Sequence, residues 1–208
     1  PEWLVRELLA ALGREETAKL LAANNGQAPM TAMVNRTRTT VQGLIQSLEG
    51  EGVQARPHPW LANCLILEKT GKLERLTAFQ EGLFYIQDPA SRLAVEALSA
   101  GPGMRVLDCC AAPGGKSFAA AICMGGRGEV VSCDLHPHKK KLIQAGAGRL
   151  SLRNIVPMTA DGKVFRPEWE NTFDRVLVDA PCSGLGVIRK KPDIRSKDPE
   201  PLKDLPKV

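Results

Sequence analysis

Val106-Leu107-Asp108-Cys109-Cys110-Ala111-Ala112-Pro113-Gly114-Gly115-Lys116-Ser117 is the stretch on which the reading of the fold turns. A short apolar run ends in an acid, a loop of small residues follows, and a helix begins at the glycines. Such a loop lets backbone N–H groups approach a ligand closely and aims a helix N-terminus at it. Two cofactor classes fit that outline. A phosphate-binding P-loop needs G-x-x-x-x-G-K-[ST], and Gly115-Lys116-Ser117 supplies its end. Its opening glycine would be residue 110, which is cysteine. The run Arg175–Asp179 is nonetheless Walker-B-like, so the nucleotide-binding alternative stays open. A nucleoside-binding Rossmann-like loop fits better. Asp134 lies twenty residues after Gly114 at the end of the next apolar run, where an acid would bond a ribose diol. The simpler alternative is that Asp134 caps the helix starting near Pro137.

The flanking sequence carries the same rhythm. Asp88-Pro89 starts a helix reaching about Ala100. Strands are expected at Met104–Asp108, Glu129–Cys133, Ile155–Met158 and Arg175–Val178, with helices at Lys116–Met124 and Pro137–Leu150. Strand–helix alternation with short connections implies a parallel, doubly wound α/β sheet. Asp108, Asp134, Asp161 and Asp179 each stand at or just past one of these strands. In an open parallel sheet, the strand C-termini line the ligand crevice.

Residues before Asp88 read differently. Apolar spacing over residues 1–25 gives two short helices broken at Gly13, and Asn24-Asn25-Gly26 is a turn. Met30–Val34 reads as a strand, and Thr39 or Thr40 caps a helix through Leu48. Pro57 and Pro59 bracket a loop before a strand at Leu61–Leu67, and a further strand is expected at Leu73–Phe79. The expected division is therefore a helical linker (1–25), a small α+β subdomain (26–87) and a Rossmann-like domain (88–208).

Composition narrows the function. The chain has 208 residues, 43% of them hydrophobic, with a mean hydropathy of −0.16. That balance suits an ordinary globule and excludes a disordered chain. No apolar run reaches the roughly 18 residues of a membrane helix, and no signal-peptide pattern opens the chain. Six cysteines without a C-x-x-C pair, beside three histidines, argue against structural zinc, so no metal is expected. The net charge is +5. Residues 1–87 hold nine basic and nine acidic side chains, so the whole excess lies beyond them. It concentrates in Lys139-Lys140-Lys141 and in Arg189-Lys190-Lys191 with Arg195. The first cluster reads as a solvated helix face. The second follows a candidate site loop, where a phosphate partner is the better reading. A start at Pro1 and a polar, proline-containing end suggest a piece of a longer protein.

That loop is Asp179-Ala180-Pro181-Cys182-Ser183-Gly184. Together with Asp108–Lys116, it resembles the RNA cytosine-5 methyltransferases that use S-adenosylmethionine, in their bacterial ribosomal RNA branch of the Sun/Fmu type. Pro1-Glu2-Trp3-Leu4-Val5, Gln87-Asp88-Pro89-Ala90-Ser91, Gly186-Val187-Ile188-Arg189 and Pro192-Asp193-Ile194-Arg195 extend the likeness over nearly the whole chain. The resemblance implies a class I methyltransferase sheet and a cytoplasmic, monomeric enzyme acting on ribosomal RNA. Cys110, Ala111, Ala112, Pro113, Gly114, Gly115 and Lys116 would wrap the methionine part of the cofactor. Asp134 would hold the ribose, Asp161 would lie by the adenine, and Asp179 would lie near the methionine end or the target base. Arg189, Lys190, Lys191 and Arg195 would meet RNA phosphates, and the subdomain at 26–87 would add RNA contacts.

Members of this family use two cysteines. A thiolate adds to cytosine C6, which makes C5 nucleophilic, and loss of the C5 proton and the thiol then restores the ring. The attacking cysteine sits in a Thr-Cys-Ser-like motif that this sequence does not contain. Cys182 therefore corresponds to the other cysteine, which assists breakdown of the intermediate, and the chain alone is expected to be inactive. A DNA cytosine-5 enzyme, with the Pro-Cys cysteine as nucleophile, is the alternative enzyme; its flanks do not match. A non-enzymatic nucleotide-binding module is the alternative outside enzymes.

Overall fold

The computed structural model describes residues 1–200. The last eight residues of the expected 88–208 domain lie outside the described residues. The chain falls into two compact units, Met30–Ala180 and Pro1–Pro29 with residues 181–200.

Within Met30–Ala180, an antiparallel sheet comes first, in the order β2-β3-β1-β4. Its strands are β1 (Met30–Val34), β2 (Gln54–Pro57), β3 (Cys64–Glu68) and β4 (Phe84–Ile86). Helix α2 (Val41–Gly50) starts at Thr40, whose side chain accepts from the Gly43 amide at 3.0 Å. It buries Leu44 and Leu48 against Ala32, Val34, Leu65 and Phe84. Each such aliphatic side chain contributes about 1.5–3 kcal/mol by leaving water.

Two expectations here are corrected. Leu73–Phe79 is not a strand: Leu73–Arg75 is a 3-10 turn, and Thr77–Gln80 is the short helix α3. The cause is Glu51, whose carboxylate accepts from the Thr77 and Ala78 amides at 2.6 and 3.0 Å. Those two N–H groups are thereby satisfied as a helix start, with no strand partner needed. The strand comes later, as β4. The loop bracketed by Pro57 and Pro59 is present, but an edge strand not expected from the sequence precedes it, Gln54–Pro57 pairing with Leu65–Glu68, and the strand expected at Leu61–Leu67 begins only at Cys64. An edge is where proline is tolerated.

The second sheet is parallel, in the order β7-β6-β5-β8. It comprises β5 (Arg105–Asp108), β6 (Glu129–Asp134), β7 (Ile155–Thr159) and β8 (Arg175–Leu177). Helices α4 (Pro89–Leu98), α5 (Gly115–Cys123) and α6 (Pro137–Arg149) connect or cover it, as the sequence pattern predicts. The expected boundary at 87/88 separates the two sheets, although both lie in one compact unit. Asn35, fully buried, donates from Nδ2 to the carbonyls of Gly82 and Leu150, both at 2.9 Å. Arg149 lies 3.8 Å from the Phe79 ring centroid and donates to the carbonyls of Phe79 and Phe84. One apolar cluster contains Met33, Leu61 and Tyr85 as well as Val106, Val130 and Ile143, so the sheets share a core.

Helix α5 is the centre of that core, buried from Ser117 to Ile122. Its run of three alanines leaves room for close packing, and Phe118 is its one large ring. The ring lies under two glycines. A Cβ at Gly114 would come within 2.3 Å of Phe118 Cζ, and one at Gly146 in α6 within 2.4 Å. Gly114 also has φ +115, a conformation that other residues rarely adopt.

In the other unit, α1 (Glu2–Asn25) is two helical segments meeting at Gly13, which has φ 73 and ψ 175. That is the break expected from the sequence. Leu4, Ile188 and Ile194 form its small apolar cluster. Among the described residues, no helix is long and apolar enough to cross a membrane.

Candidate functional site

Every strand of the parallel sheet ends at or near an acid. Asp108 closes β5, Asp134 closes β6, and Asp161 and Asp179 follow β7 and β8 by two residues. They do different work. Asp108 is 1% exposed and accepts from Ser117 Oγ at 2.7 Å, and Ser132 Oγ donates to Ser117 Oγ at 2.8 Å. This chain of hydroxyls ties the ends of β5 and β6 to the first turn of α5. Burial pushes the Asp108 carboxyl up to about 6, against the opposing pull of the Ser117 hydroxyl and the Cys110 amide.

Asp134 is buried too. Its Oδ1 accepts from the His136 amide at 3.2 Å and meets Lys139 Nζ at 3.4 Å. The carboxylate thus bonds an amide just ahead of α6, while His136 is the residue at the helix cap position. Lys139 leaves the solvated-face reading of its cluster for this ion pair. Asp161 is half-buried and accepts from the Lys163 amide at 2.9 Å. Asp179 is exposed and pairs with Lys116 Nζ at 2.6 Å, which joins the first turn of α5 to the loop after β8.

Between them, Cys110–Gly114 forms the loop and α5 starts at Gly115. Gly114 provides no side-chain cap, and among the described residues the Gly115 and Lys116 amides have no acceptor. Uncapped amides at a helix start suit an anionic ligand group such as a carboxylate. A cavity of about 210 Å³ opens beside them, lined by Gln87, Asp88, Ser91, Cys110, Lys116 and Asp179 among others. Burial raises the Cys110 thiol, and the charges of Asp108, Asp134 and Asp179 raise it further, so Cys110 stands there as a neutral wall. Small-molecule sites usually measure about 300–1,000 Å³, so this cavity is smaller than a site for a whole nucleoside ligand. Beyond it lie the ends of β6 and β7, where Asp134 and Asp161 stand.

Gln87 is a member of the site that sequence reasoning did not single out. It is buried, accepts from Tyr85 OH at 3.3 Å and receives the Thr31 hydroxyl on its carbonyl at 2.6 Å. A Cβ at Gly115 would lie 3.4 Å from Gln87 Nε2. The signal was its position just before the Asp88-Pro89 helix start, at the end of β4. The Asp108–Ser117–Ser132 chain was equally unread, because Ser117 and Ser132 look like ordinary helix and strand residues.

The remaining expected site residues belong to the other unit. Cys182 is exposed, in the loop ahead of a 3-10 turn at Leu185–Val187. Arg189 donates to the carbonyls of Gly26 and Gln27 at 3.3 and 2.6 Å, and Arg195 to that of Asn24 at 2.8 Å. Both guanidiniums thus hold the C-terminal end of α1, a use the sequence did not suggest. Lys190 and Lys191 are exposed.

With this geometry in view, comparison with known proteins is decisive. The family model for 16S rRNA methyltransferase RsmB/F matches residues 95–207, and the associated ferredoxin-like domain matches residues 1–74. The chain belongs to the RsmB/F methyltransferase family. It is 41% identical over 202 residues to the "Probable ribosomal RNA small subunit methyltransferase B" of Bacillus subtilis, covering 96% of this chain and 45% of that protein. The ribosomal RNA small subunit methyltransferase B of Vibrio cholerae is 37% identical, with 94% and 44% covered. The chain therefore spans under half the length of these curated relatives. Among solved structures, PH0851 superposes with a TM-score of 0.93 at 28% identity, over 99% of this chain and 47% of that one. A methyltransferase homolog from Pyrococcus horikoshii gives 0.73 at 29% identity, with 85% and 58% covered. NSun6 from Pyrococcus horikoshii with SFG gives 0.78 at 18% identity over 89% and 71%, a likeness of fold.

Proposed function

We propose that this RsmB/F chain carries the cofactor-binding part of an enzyme that methylates cytosine C5 in ribosomal RNA, with S-adenosylmethionine as donor. The observation that carries the proposal is the row of strand-end acids around an uncapped helix start, in a chain of this family. When bound, S-adenosylmethionine supplies an electrophilic methyl group. The uncapped Gly115 and Lys116 amides would receive its carboxylate, with Cys110, Ala111, Ala112, Pro113 and Gly114 as the wall. Asp134 would accept from the ribose hydroxyls and Asp161 would lie by the adenine. Lys116 would hold Asp179 at the methionine end, beside the place of the target base. The surplus of carboxylates over Lys116 and Lys139 favours a cationic ligand, which ATP is not.

Cys182 belongs in this reading to release of the RNA. With that thiol but no Thr-Cys-Ser, the chain by itself would neither bond cytosine nor transfer methyl. Lys190 and Lys191, with the remaining donors of Arg189 and Arg195, would meet phosphates, and residues 26–87 would add RNA contacts. A monomer working in the cytoplasm, where ribosomal RNA is made in bacteria, completes the proposal.

Titration calorimetry tests it. S-adenosylmethionine binds and ATP does not, and Asp134→Ala weakens binding by roughly 1–3 kcal/mol because the ribose hydroxyls lose their acceptor. Tight ATP binding, or an unaffected Asp134→Ala, would return the loop to the P-loop reading. A denaturing gel of the chain with cytosine-containing RNA and S-adenosylmethionine shows no shifted band. A shift would make Cys182 the nucleophile, as in the DNA-type mechanism.

A further inference from the structure

A second surface of the Met30–Ala180 unit, formed by the loop after β1 and the turn after α6, has no part in the cofactor site. Three exposed arginines stand on it, Arg36 and Arg38 on the loop and Arg153 on the turn. Arg38 Nη1 donates to Ser151 Oγ at 2.8 Å, which joins the two segments. The loop is fixed from below. Asn35 anchors it to Gly82 and Leu150, and Asn35 Oδ1 accepts from the Thr37 amide and hydroxyl at 3.2 and 2.6 Å. Ser151 and Arg153 also line a groove of about 440 Å³ whose floor and walls include Gln144, Gly148 and Pro157.

The charges on this surface are not compensated. Among the described residues, Arg36, Arg38 and Arg153 form no ion pair, whereas Arg56, Arg92, Arg105 and Arg166 each face a carboxylate. Glu81, the acid next to the Gly82 contact, pairs with none of the three. Nor does the end of α6 supply negative partial charge freely. Its Ala147 and Gly148 carbonyls already accept from the Leu152 and Ser151 amides at 2.9 and 3.1 Å. The groove sets the Ser151 hydroxyl, the Gln144 amide and the Arg153 guanidinium beside Ala147, Leu152, Ile155 and Pro157, and it is the uncompensated guanidinium charge, not the apolar part of the lining, that suits an oxyanion chain.

We infer that Arg36, Arg38 and Arg153, around the groove at Ser151, are a docking surface for the sugar-phosphate backbone of the RNA. The inference rests on the reading that RNA is the substrate. Guanidinium forks match phosphate oxygens in pairs, and the Asn35 anchor and Ser151 bond hold Arg38 ready, so little side-chain order is lost on binding. Contacts of this kind position the strand without reading its bases.

The test uses the 208-residue chain and a single-stranded RNA of ribosomal sequence, with affinity measured by fluorescence anisotropy across salt concentrations. The variant Arg36→Gln/Arg38→Gln/Arg153→Gln is compared with a charge-matched control outside residues 26–87, Arg14→Gln/Arg127→Gln/Lys163→Gln, at exposed positions. The expected result is a loss of about tenfold or more at 0.1 M salt for the first variant, with the slope of log K against log salt falling by about 2. The control keeps most of the affinity and slope. Equal losses in both variants would reduce the effect to bulk charge and overturn the inference. So would an unaffected triple variant, or a wild-type chain with no salt-dependent RNA affinity. Binding of S-adenosylmethionine by the triple variant, measured in parallel, stays at the wild-type value. Its absence from the wild type as well would count against the methyltransferase reading and leaves the RNA comparison standing on its own.

Discussion

Strands β5 and β8 lie side by side in one parallel ladder, with Val106 opposite Arg175 and Asp108 opposite Leu177. Both are short and valine-bearing, with an acid at or just past their ends and a small-residue loop beyond. Their fates in the core are opposite. Val106 is fully buried, whereas Val176 is 53% exposed and Val178, one residue past β8, 65%. The difference is one of neighbours: β5 has a strand on each side and α5 over it, while among the described residues β8 pairs with β5 alone. Local sequence makes a strand, but the count of packed neighbours decides what the strand contributes to stability.

The largest test of that contrast is a truncation on each side. Phe118→Ala, beneath the β5 loop, is expected to lower unfolding free energy by about 3–5 kcal/mol, as for other buried rings. Val176→Ala on β8 should cost less than about 1 kcal/mol. Urea unfolding monitored by circular dichroism measures both, and similar losses would refute the contrast.

A second test uses pH. The Asp108 carboxyl is raised in the folded chain to about 6 from an ordinary value of 3.8, so between those values the unfolded chain ionises and the folded one does not. Its contribution to stability is therefore greatest below about pH 4, falls as pH rises toward 6, and stays flat above. The loss is on the order of 2–3 kcal/mol. Asp108→Asn should remove that slope from a series of unfolding curves between pH 4 and 6. An unchanged slope would mean that the carboxyl is not held by burial.

The smallest effect on stability concerns the edge. An unpaired strand with apolar side chains is a template for association. Val178→Lys should change stability by no more than about 0.5 kcal/mol, yet reduce self-association in analytical ultracentrifugation at high protein concentration. No change in association would show that β8 is harmless as an edge.

These contrasts also mark what the sequence could tell. The parallel strands and the helices between them were legible because their apolar runs are bounded by Gly, Pro and Asp, and because an acid stands at or just past each strand end. The break at Gly13 and the cap at Thr40 were legible for similar local reasons. Leu73–Phe79 was not, since Glu51, more than twenty residues away, fixes it as a turn and helix. Asp134 and Lys116 were found from spacing, but their partners Lys139 and Asp179 required the fold. Arg189 and Arg195 looked like phosphate ligands, and only the structure shows that they hold carbonyls at the end of α1. Arg38 and Ser151 are 113 residues apart in sequence, and nothing local announces that they touch.

The ring of Phe118, caught between Gly114 and Gly146, makes three distant positions a single inherited unit. A methyl group at either glycine would strike the ring, so neither position can drift alone while the ring remains. A smaller residue at 118 would release both, at the cost of a cavity in the core. Gly146 lies in α6 and lines no part of the cavity beside the start of α5, yet Gly146→Ala would push the ring toward the loop that starts α5. Variation in α6 would therefore surface as altered cofactor affinity, and a lineage that changed Gly146 would be expected to carry a compensating change at 118.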